Sequence, residues 1–499
     1  MTRFARAVAR ICRPDTPAPS RRLPRRSAFL SLPAGLPALV LIVLLAGCGA
    51  DPGPEVWVIG LDGADWDLLD PMIEAGELPH LAALRRQGAW GRLRSEPPLI
   101  SPVLWTTIAT GRSPDTHGVA WFMTENADGG MVPVSSAQRR VRSFWNMAAD
   151  ADLTSGVIGW WATYPADPVA GFLISDYVGW HSFGVNGREA DDRGKTWPPE
   201  LMADVRRLLP GPADVPLAQV AAMVHRDPAE LVFAADADPY AHPVNHLRQA
   251  MATSRGYVDL ALTELERGRP DLLAVYFEGT DAVMHLFGDH QPPRQPWIAA
   301  DEFAAYRDVV AAYWRWQDAL LGELLAARGP ATTVIVVSDH GFRVGDERRK
   351  EDAFHIETAD DDHMLDGIVI ISGPEVRPGA RLEDADIYDV APTVLHALGL
   401  PVGADMPGRV LTAALDPVAV AARPVRSVVT WETTPFAPGR APGGDATATA
   451  NLTSMLRSLG YIAGQDDGGE PAASPAEAVN LATVLLRQGR AREAVDRLR

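Results

Sequence analysis

The stretch VWVIGLDG, residues 56–63, shows the pattern that decides the fold: an apolar, β-branched run that ends in an aspartate and a glycine. Continuous apolarity over six residues is typical of a strand that is buried on both faces, as in a parallel sheet covered by helices. Four later runs are of the same kind. They are SGVIGW (155–160), DLLAVYF (271–277), TTVIVVS (332–338) and GIVIIS (367–372).

Amphipathic patterns with helical spacing lie between these runs. Two examples are LPHLAALRRQG (78–88) and YRDVVAAYWRWQDALLGELLAARG (306–329). Strands that alternate with helices predict an α/β fold, a three-layer sandwich with a mostly parallel central sheet. In such a fold the active groups are expected beyond the carboxyl ends of the strands.

Acidic and imidazole side chains stand near the ends of four of these runs. Asp281 and His285 are four residues apart, so a helix would present both on one face. Each residue taken singly could be a turn, a cap or a packed side chain, but their joint placement favours one site. Aspartate and histidine without cysteine fit zinc or a similar divalent ion in an open catalytic site. The set is Asp62, Asp281, His285, Asp339, His340 and His363.

A serine in PPLISPVLWTTIATGRSPDTHG, residues 97–118, is the candidate nucleophile. Ser101 followed by Pro102 predicts a helix with the serine as N-cap and the proline at the first helical position. The N-terminus of a helix also attracts anions, so the hydroxyl would stand where a phosphate binds. Thr106 and Thr107 are the alternatives, but we expect their hydroxyls to bond back to backbone carbonyls inside the helix.

Taken in order, these motifs resemble the alkaline phosphatase superfamily, in its branch of type I phosphodiesterases and nucleotide pyrophosphatases. The resemblance covers roughly residues 54–426 and includes LDG, the Ser-Pro to His-Gly stretch, D-x-x-x-H, SDHG and IYDVAPTVLHALGLP. It implies an alkaline phosphatase-like fold and two divalent metals, zinc or alternatively manganese. By resemblance, Asp281, His285 and His363 would hold one metal, and Asp62, Asp339 and His340 the other, with Ser101 at or between the two.

The chain departs from the nucleotide-cleaving members in two places. Those members usually carry a threonine nucleophile, where this chain has Ser101, and an asparagine after the His-Gly, where it has Trp121-Phe122 and only a distant Asn126. A nucleotide substrate is therefore not implied. The sulfatase signature Cys/Ser-x-Pro-x-Arg is absent as well, and His117 is interpreted as a structural hydrogen-bonding residue rather than a ligand.

The N-terminus has the features of a bacterial export signal. Arginine-rich residues precede the apolar run LPALVLIVLLAGC, whose end resembles a lipobox with Cys48 as the lipidated residue. Residues 1–48 are thus predicted to be a signal peptide with lipobox; an ordinary signal peptide or a short anchor is the alternative. The chain has two cysteines, and Cys12 would be removed, so no thiol is left for disulfides or catalysis.

Differences in composition along the rest of the chain predict a catalytic domain, a linker and a C-terminal repeat fragment. Residues 54–426 are predicted to be the catalytic domain, with an insertion or cap at about 180–260. Its aromatic residues could line a substrate pocket or pack internally. A linker at 427–475 contains a short helix at 451–462, and residues 476–499 resemble the first part of a tetratricopeptide repeat. The cap residues are Trp180, His181, Phe183 and Trp197.

The net charge of the chain limits the classes of molecule that it is expected to bind. The net charge is −18, and near −25 from Cys48 onward, which argues against nucleic acid. We expect a metal-dependent hydrolase of phosphate esters (phosphodiesterase or phosphatase), lipid-anchored in the bacterial envelope and facing the periplasm or the outside. The alternatives are a phospho-headgroup transferase acting on an envelope glycan or lipid, and a non-catalytic scaffold. The expected partners are the phosphate ester, the membrane through Cys48, and a protein bound through the C-terminal repeat.

Overall fold

The computed structural model describes residues 55–126, 129–181, 191–232, 238–348, 359–436, 446–461 and 476–498. The predicted signal peptide and lipobox, including Cys12 and Cys48, lie outside these residues, as does Phe183. Among the helices described, none combines the length and the apolarity that a membrane crossing requires.

A nine-stranded sheet forms the centre of the fold. Its strands are β1 (Glu55–Leu61), β2 (Ala89–Arg94), β3 (Ser155–Ile158), β4 (Gly171–Ile174), β5 (Thr196–Trp197), β6 (Leu272–Phe277), β7 (Thr332–Val337), β8 (Asp366–Ser372) and β9 (Arg381–Asp386). Their spatial order is β9-β2-β8-β7-β1-β6-β3-β4-β5. Five of the eight neighbouring pairs are parallel, and the antiparallel ones are β8 with β2, β8 with β7, and β4 with β5.

All five apolar runs are strands, as predicted, but the last is not parallel to its neighbours. The strand β8 enters the sheet from the opposite end, between β7 and β2. Its residues are buried on both faces regardless of direction, and for this reason apolarity alone could not reveal the reversal. The four strands that were not predicted, β2, β4, β5 and β9, are short, lie toward the edges of the sheet or alternate in burial.

Two hydrophobic clusters cover the two faces of the sheet. Along β1, Val56 and Val58 belong to one cluster, whereas Trp57, Ile59 and Leu61 belong to the other. Alternate residues of a strand point to opposite faces, so the chain is a three-layer α/β sandwich, as predicted.

Helices pack on both faces of the sheet, and further helices follow its last strand along the chain. Both helices predicted from the sequence are present, as Pro79–Gln87 and Val309–Ala326. The helices are α1 (Trp66–Glu74), α2 (Pro79–Gln87), α3 (Ser101–Thr110), α4 (Pro114–His117), α5 (Phe144–Asp150), α6 (Tyr177–His181), α7 (Met202–Leu208), α8 (Leu217–Met223), α9 (Pro243–Arg267), α10 (Gly279–Phe287), α11 (Ala300–Tyr306), α12 (Val309–Ala326), α13 (Val390–Ala397), α14 (Pro417–Ala422), α15 (Ala446–Ser458), α16 (Ala476–Arg487) and α17 (Ala491–Arg497). Short strand pairs are Met123–Glu125 with Met131–Pro133, Gly341–Phe342 with His363–Met364, and Val402–Gly403 with Ser427–Val428.

The predicted insertion at 180–260 divides into two parts. Its later part is the long helix α9, whose apolar residues join the cluster on one face of the sheet. Its earlier part contains β5, where Trp197 packs and donates its indole N–H to the Val169 carbonyl at 3.0 Å. The side chains of Trp180 and His181 lie outside the described part. The boundaries of the insertion stay a prediction.

Candidate active site

The sheet brings the predicted site residues together at one edge. The strands β1, β6 and β7 are parallel neighbours, so Asp62, the helix α10 and Asp339-His340 all follow strand ends at the same edge. Because β8 is antiparallel, the chain that enters it stands at this edge too, and Phe342 pairs with His363 just before β8 begins. The reversal of β8 therefore explains how a residue ahead of a strand reaches a site built from strand ends.

Two glycines allow the chain to turn closely around these side chains. Gly63 has a left-handed φ of +64°, and a Cβ there would lie 3.1 Å from Asp281 Oδ1. A Cβ on Gly341 would lie 2.1 Å from Asp65 Oδ2 and 2.4 Å from the Asp366 carbonyl. The glycines in the LDG and SDHG motifs are thus required by the backbone conformation and by close packing.

Asp281, His285 and His363 form the first group of ligand atoms. Asp281 Oδ2 lies 3.4 Å from His285 Nε2, and Asp281 Oδ1 lies 3.6 Å from His363 Nε2. The two Nε2 atoms are 3.1 Å apart. The three donor atoms lie within 4.8 Å of one another, close enough to hold one cation.

Asp62, Asp281 and His340 form the second group. His340 Nε2 lies 3.4 Å from Asp62 Oδ1, 3.8 Å from Asp281 Oδ1 and 3.7 Å from Asp339 Oδ2. Asp281 thus faces both groups, and Asp339 stands beside the second one. The rings of His340 and His363 stack with centroids 3.7 Å apart, which joins the groups into one cluster.

The tautomers of His340 and His363 direct ring lone pairs at the carboxyl groups of the cluster. His363 Nδ1 donates to the Leu99 carbonyl at 2.9 Å, and His340 Nδ1 donates to the Gly341 carbonyl at 3.0 Å. Each Nε2 of a neutral ring is then a lone pair that faces carboxylate oxygens. Buried atoms without a hydrogen-bond partner among the described residues include Asp62 Oδ1, Asp281 Oδ1, both Asp339 oxygens and His340 Nε2. Such convergence of orphaned acceptors fits a bound cation, and the donor set fits zinc.

Burial shifts the protonation of the same groups. It raises the pKa of Asp62, Asp281 and Asp339, and neighbouring carboxylates raise the pKa of Asp62 and Asp339 further. It lowers the pKa of His340 and His363, which keeps both rings neutral. Without a cation, the carboxylates compensate by holding protons.

The helix α3 places Ser101 beside this cluster. The carbonyl of Leu99, two residues before Ser101, accepts the hydrogen bond from His363 Nδ1. Trp105, four residues after Ser101 on the same helical face, donates its Nε1–H to Asp62 Oδ2 at 3.1 Å. The predicted N-cap is wrong by one residue. Ile100 is the cap, because its carbonyl accepts the first helical bond from Leu104 at 3.0 Å, and Ser101 is the first helical residue. The side chain of Ser101 is buried.

The two alternative nucleophiles are engaged elsewhere, as expected. Thr106 Oγ1 donates to the Pro102 carbonyl at 2.7 Å, and Thr107 Oγ1 donates to the Val103 carbonyl at 3.1 Å. His117 is structural: its Nδ1 accepts from the Val119 N–H at 3.2 Å, and its Nε2 lies 3.1 Å from Thr107 Oγ1. Burial lowers the pKa of His117 to about 3, so the ring is neutral.

The two positions compared with the family's asparagine lie in different surroundings. Asn126 Oδ1 accepts from the Gly130 N–H at 2.9 Å inside a hairpin. Trp121 and Phe122 are buried apolar residues that pack edge to face against each other.

Several residues of the site were not recognised in the sequence. Tyr276 and Trp105 both donate to Asp62 Oδ2, and Thr280 Oγ1 donates to the Asp62 carbonyl at 2.6 Å. Glu278 stands three residues before Asp281, and burial raises its pKa to about 8. Their signal in the sequence was proximity to predicted ligands. Tyr276 is the second-last residue of β6, and Glu278 and Thr280 lie within EGTD, residues 278–281. Tyr461, which contacts two of the histidines, had no such signal because it lies far along the chain.

Comparison with protein families gives one match that covers most of this region. A model of the family described as type I phosphodiesterase / nucleotide pyrophosphatase matches residues 56–407. The matched range contains Ser101 and all six predicted metal ligands.

Individual relatives are distant or partial. A 2,3-bisphosphoglycerate-independent phosphoglycerate mutase from Bacteroides thetaiotaomicron is 28% identical over 155 residues, which is 31% of this chain. The chain spans only 26% of the length of that curated relative. The wild-type alkaline phosphatase PafA is 13% identical, with a TM-score of 0.44 over 74% of this chain and 100% of that one. A 2-O GAG sulfatase is 11% identical, with a TM-score of 0.45 over 77% of this chain and 76% of that one. Similarity at these scores supports no further conclusion.

Proposed function

The chain belongs to the type I phosphodiesterase / nucleotide pyrophosphatase family, a family of phosphoric ester hydrolases, and on that premise we propose a metal-dependent hydrolase that uses Ser101 as nucleophile. The observation that carries the proposal is the cluster of orphaned carboxylate oxygens and imidazole lone pairs beside the N-terminus of α3. A purely structural cluster would be expected to satisfy its buried polar atoms internally.

The proposed metal ligands form two adjacent sets. Asp281, His285 and His363 would hold one divalent ion. His340 and Asp62 would hold the other, with Asp339 as its third ligand and Asp281 at the boundary between the sites. Zinc suits these donors best, with manganese as the alternative.

The second contacts of these residues support the assignment. A ligating histidine usually donates its other ring N–H to a carbonyl or carboxylate, as His340 and His363 do here. Asp62 is held by Trp105 and Tyr276 at one oxygen, which leaves its Oδ1 directed at His340. The chain therefore orients these donors before any cation binds.

Divalent cations bound here would supply Lewis-acid stabilisation of the phosphoryl charge. The Ser101 hydroxyl attacks phosphorus, so that a serine O–P bond forms while the ester P–O bond breaks. The serine proton is released, and the leaving alcohol takes up a proton. Water then cleaves the serine O–P bond and restores the serine. In sum, one ester and one water give one alcohol and one phosphate from a monoester, or one alcohol and one phosphate monoester from a diester. Backbone N–H groups at the start of α3 stabilise the phosphoryl oxygens.

The test combines metal analysis with a panel of chromogenic phosphate monoesters, phosphodiesters and a sulfate ester. We expect stoichiometric zinc or manganese and turnover of phosphate esters. The informative variant is Ser101→Ala, and Thr106→Val is the matched control on the same helix. Absence of a divalent metal from purified protein, or full turnover by a folded and metal-loaded Ser101→Ala enzyme, would refute the proposal.

We also propose that the chain is a lipoprotein of the bacterial envelope, anchored through Cys48 and facing the periplasm or the outside. The support is the apolar run that ends in Leu45-Ala46-Gly47-Cys48. The substrate would then be an ester that is present outside the cytoplasm. A protein partner bound through residues 476–499 belongs to the same proposal.

A further inference from the structure

A segment from beyond the family-matched range covers the candidate active site. This covering segment, residues 446–461, consists of α15 and the turn that follows it. Its apolar side chains are buried in one of the two main hydrophobic clusters, together with residues of the sheet and of α3. The residues concerned are Ala448, Leu452, Met455, Leu456, Leu459 and Tyr461.

Polar contacts fix the position of the covering segment. Ser458 Oγ lies 2.9 Å from His246 Nδ1 on α9, and Ser454 donates to Asp238. The ring of Tyr461 packs on Phe122 with centroids 4.7 Å apart. Ser454 and Ser458 thus hold the end of α15 in place, and Phe122 holds the ring of Tyr461 three residues later.

The hydroxyl of Tyr461 reaches the proposed ligands directly. It lies 3.1 Å from His285 Nε2 and 3.3 Å from His363 Nε2. The same two nitrogens lie 3.1 Å from each other and 3.4 and 3.6 Å from the oxygens of Asp281. Ligands about 2.0–2.1 Å from a tetrahedral zinc are roughly 3.3 Å from one another. Relative to the two histidine nitrogens, the phenol oxygen is therefore spaced as a further ligand of the site formed by Asp281, His285 and His363.

A catalytic zinc site keeps its fourth position for water or substrate. From these distances we propose that Tyr461 is an autoinhibitory residue, whose hydroxyl occupies the position that a phosphoryl oxygen of the substrate must take. The covering segment thus closes the site, and substrate binds only when Tyr461 withdraws. This inference rests on the proposed function, because it requires a cation at those three ligands.

The proposal is tested by orthophosphate binding, measured by calorimetry on the full-length, zinc-loaded protein. In Tyr461→Phe the ring still packs on Phe122, but the competing oxygen is gone. We expect orthophosphate to bind about tenfold more tightly, a factor that corresponds to about 1.4 kcal/mol. Tyr313→Phe is the matched control, because Tyr313 is equally buried but its hydroxyl contacts Ser254. That variant should bind orthophosphate as the wild type does.

Two further readouts keep the proposal falsifiable. Ser458→Ala loosens the covering segment without touching the ligands, and it should tighten orthophosphate binding in the same direction by a smaller factor. In cobalt-substituted protein, Tyr461→Phe should change the visible absorption spectrum, whereas Tyr313→Phe should not. Unchanged or weaker orthophosphate binding by zinc-loaded Tyr461→Phe would overturn the inference alone. A wild-type protein that holds no divalent metal would overturn the proposed function, and this inference with it.

Discussion

Replacing Asp339 by asparagine should stabilise the metal-free protein, and bound metal should cancel that gain. Asp339 is fully buried, and neither of its carboxylate oxygens has a hydrogen-bond partner among the described residues. Burial and the charge of Asp62 raise its pKa well above the usual value. The wild-type metal-free protein must therefore either protonate this group or carry a poorly compensated buried charge.

The sign of the metal-free effect follows from linkage. A carboxyl whose pKa is raised on folding binds its proton more tightly in the native state than in the unfolded chain. Its stabilising contribution is complete below the unfolded pKa and is lost as the pH rises through the folded pKa. An asparagine side chain does not titrate, so the metal-free Asp339→Asn variant should gain on the wild type as the pH rises toward neutrality and above.

The magnitude follows from the cost of a buried, unsatisfied group, which is about 1–3 kcal/mol. Unfolding entropy of about 2.1 cal/mol/K per residue over ~450 residues makes 1 kcal/mol worth about 1 °C in Tm. The metal-free variant should thus melt about 1–3 °C above the wild type at neutral pH. With saturating zinc, a hundredfold loss of affinity removes about 2.7 kcal/mol of stabilisation by the bound ion. This loss offsets the gain, so the variant should melt between about 2 °C below the wild type and level with it.

The assay is thermal unfolding in chelator and in saturating zinc, at several pH values. Asp176→Asn is the control, because Asp176 is buried and its pKa is raised to about 7, yet it accepts backbone N–H bonds from Ala162 and Tyr164. Its loss should alter stability equally with and without metal. If Asp339→Asn shifts Tm by the same amount and sign in chelator and in zinc, Asp339 is not a ligand and the reasoning fails.

Three further predictions concern other parts of the chain. Ser101→Ala should stay folded and metal-loaded but lose several orders of magnitude in turnover, and Ser101→Thr should recover part of it; steady-state kinetics with metal analysis would contradict this if turnover persisted. Cys48→Ser should release the protein from membrane fractions or block its processing, and identical fractionation would end the lipoprotein proposal. Deleting residues 470–499 should leave hydrolysis intact while breaking the contacts of Gln488 and Arg490 with Asp115; lost activity would show that the tail belongs to the catalytic unit.

Much of the fold was accessible because the decisive signals are local. Buried strands of a parallel sheet carry continuous apolar runs. Gly63 has a left-handed φ that favours glycine, and Gly341 stands where a Cβ has no room. Residues placed directly after such strands meet at one edge by topology, so the sequence predicted the grouping of Asp62, Asp281 and Asp339-His340. The direction of β8 was not predictable, since both directions bury the same side chains.

The C-terminal part was only partly predictable. The sequence indicated a short helix at 451–462, and α15 begins earlier, at Ala446. Residues 476–498 form two helices joined at a glycine turn. Leu481, Val484 and Leu485 are buried, whereas Val479, Leu486, Val495 and Leu498 are exposed. The identity of this fragment as a tetratricopeptide repeat stays a prediction.

The contact between Tyr461 and the histidines could not be predicted from local sequence patterns. Its position depends on where a helix of ordinary composition packs, nearly a hundred residues beyond His363, and no spacing rule connects the two. The chemistry of the cluster nevertheless makes the contact intelligible. His285 Nε2 and His363 Nε2 lie 3.1 Å apart, and the phenol O–H of Tyr461 can donate one hydrogen bond to either nitrogen when no metal is bound. The same hydroxyl that donates to a histidine in the metal-free protein would compete with substrate once metal is present. Tyr461 would therefore favour the stability of the metal-free protein and oppose the binding of substrate to the metal-loaded protein.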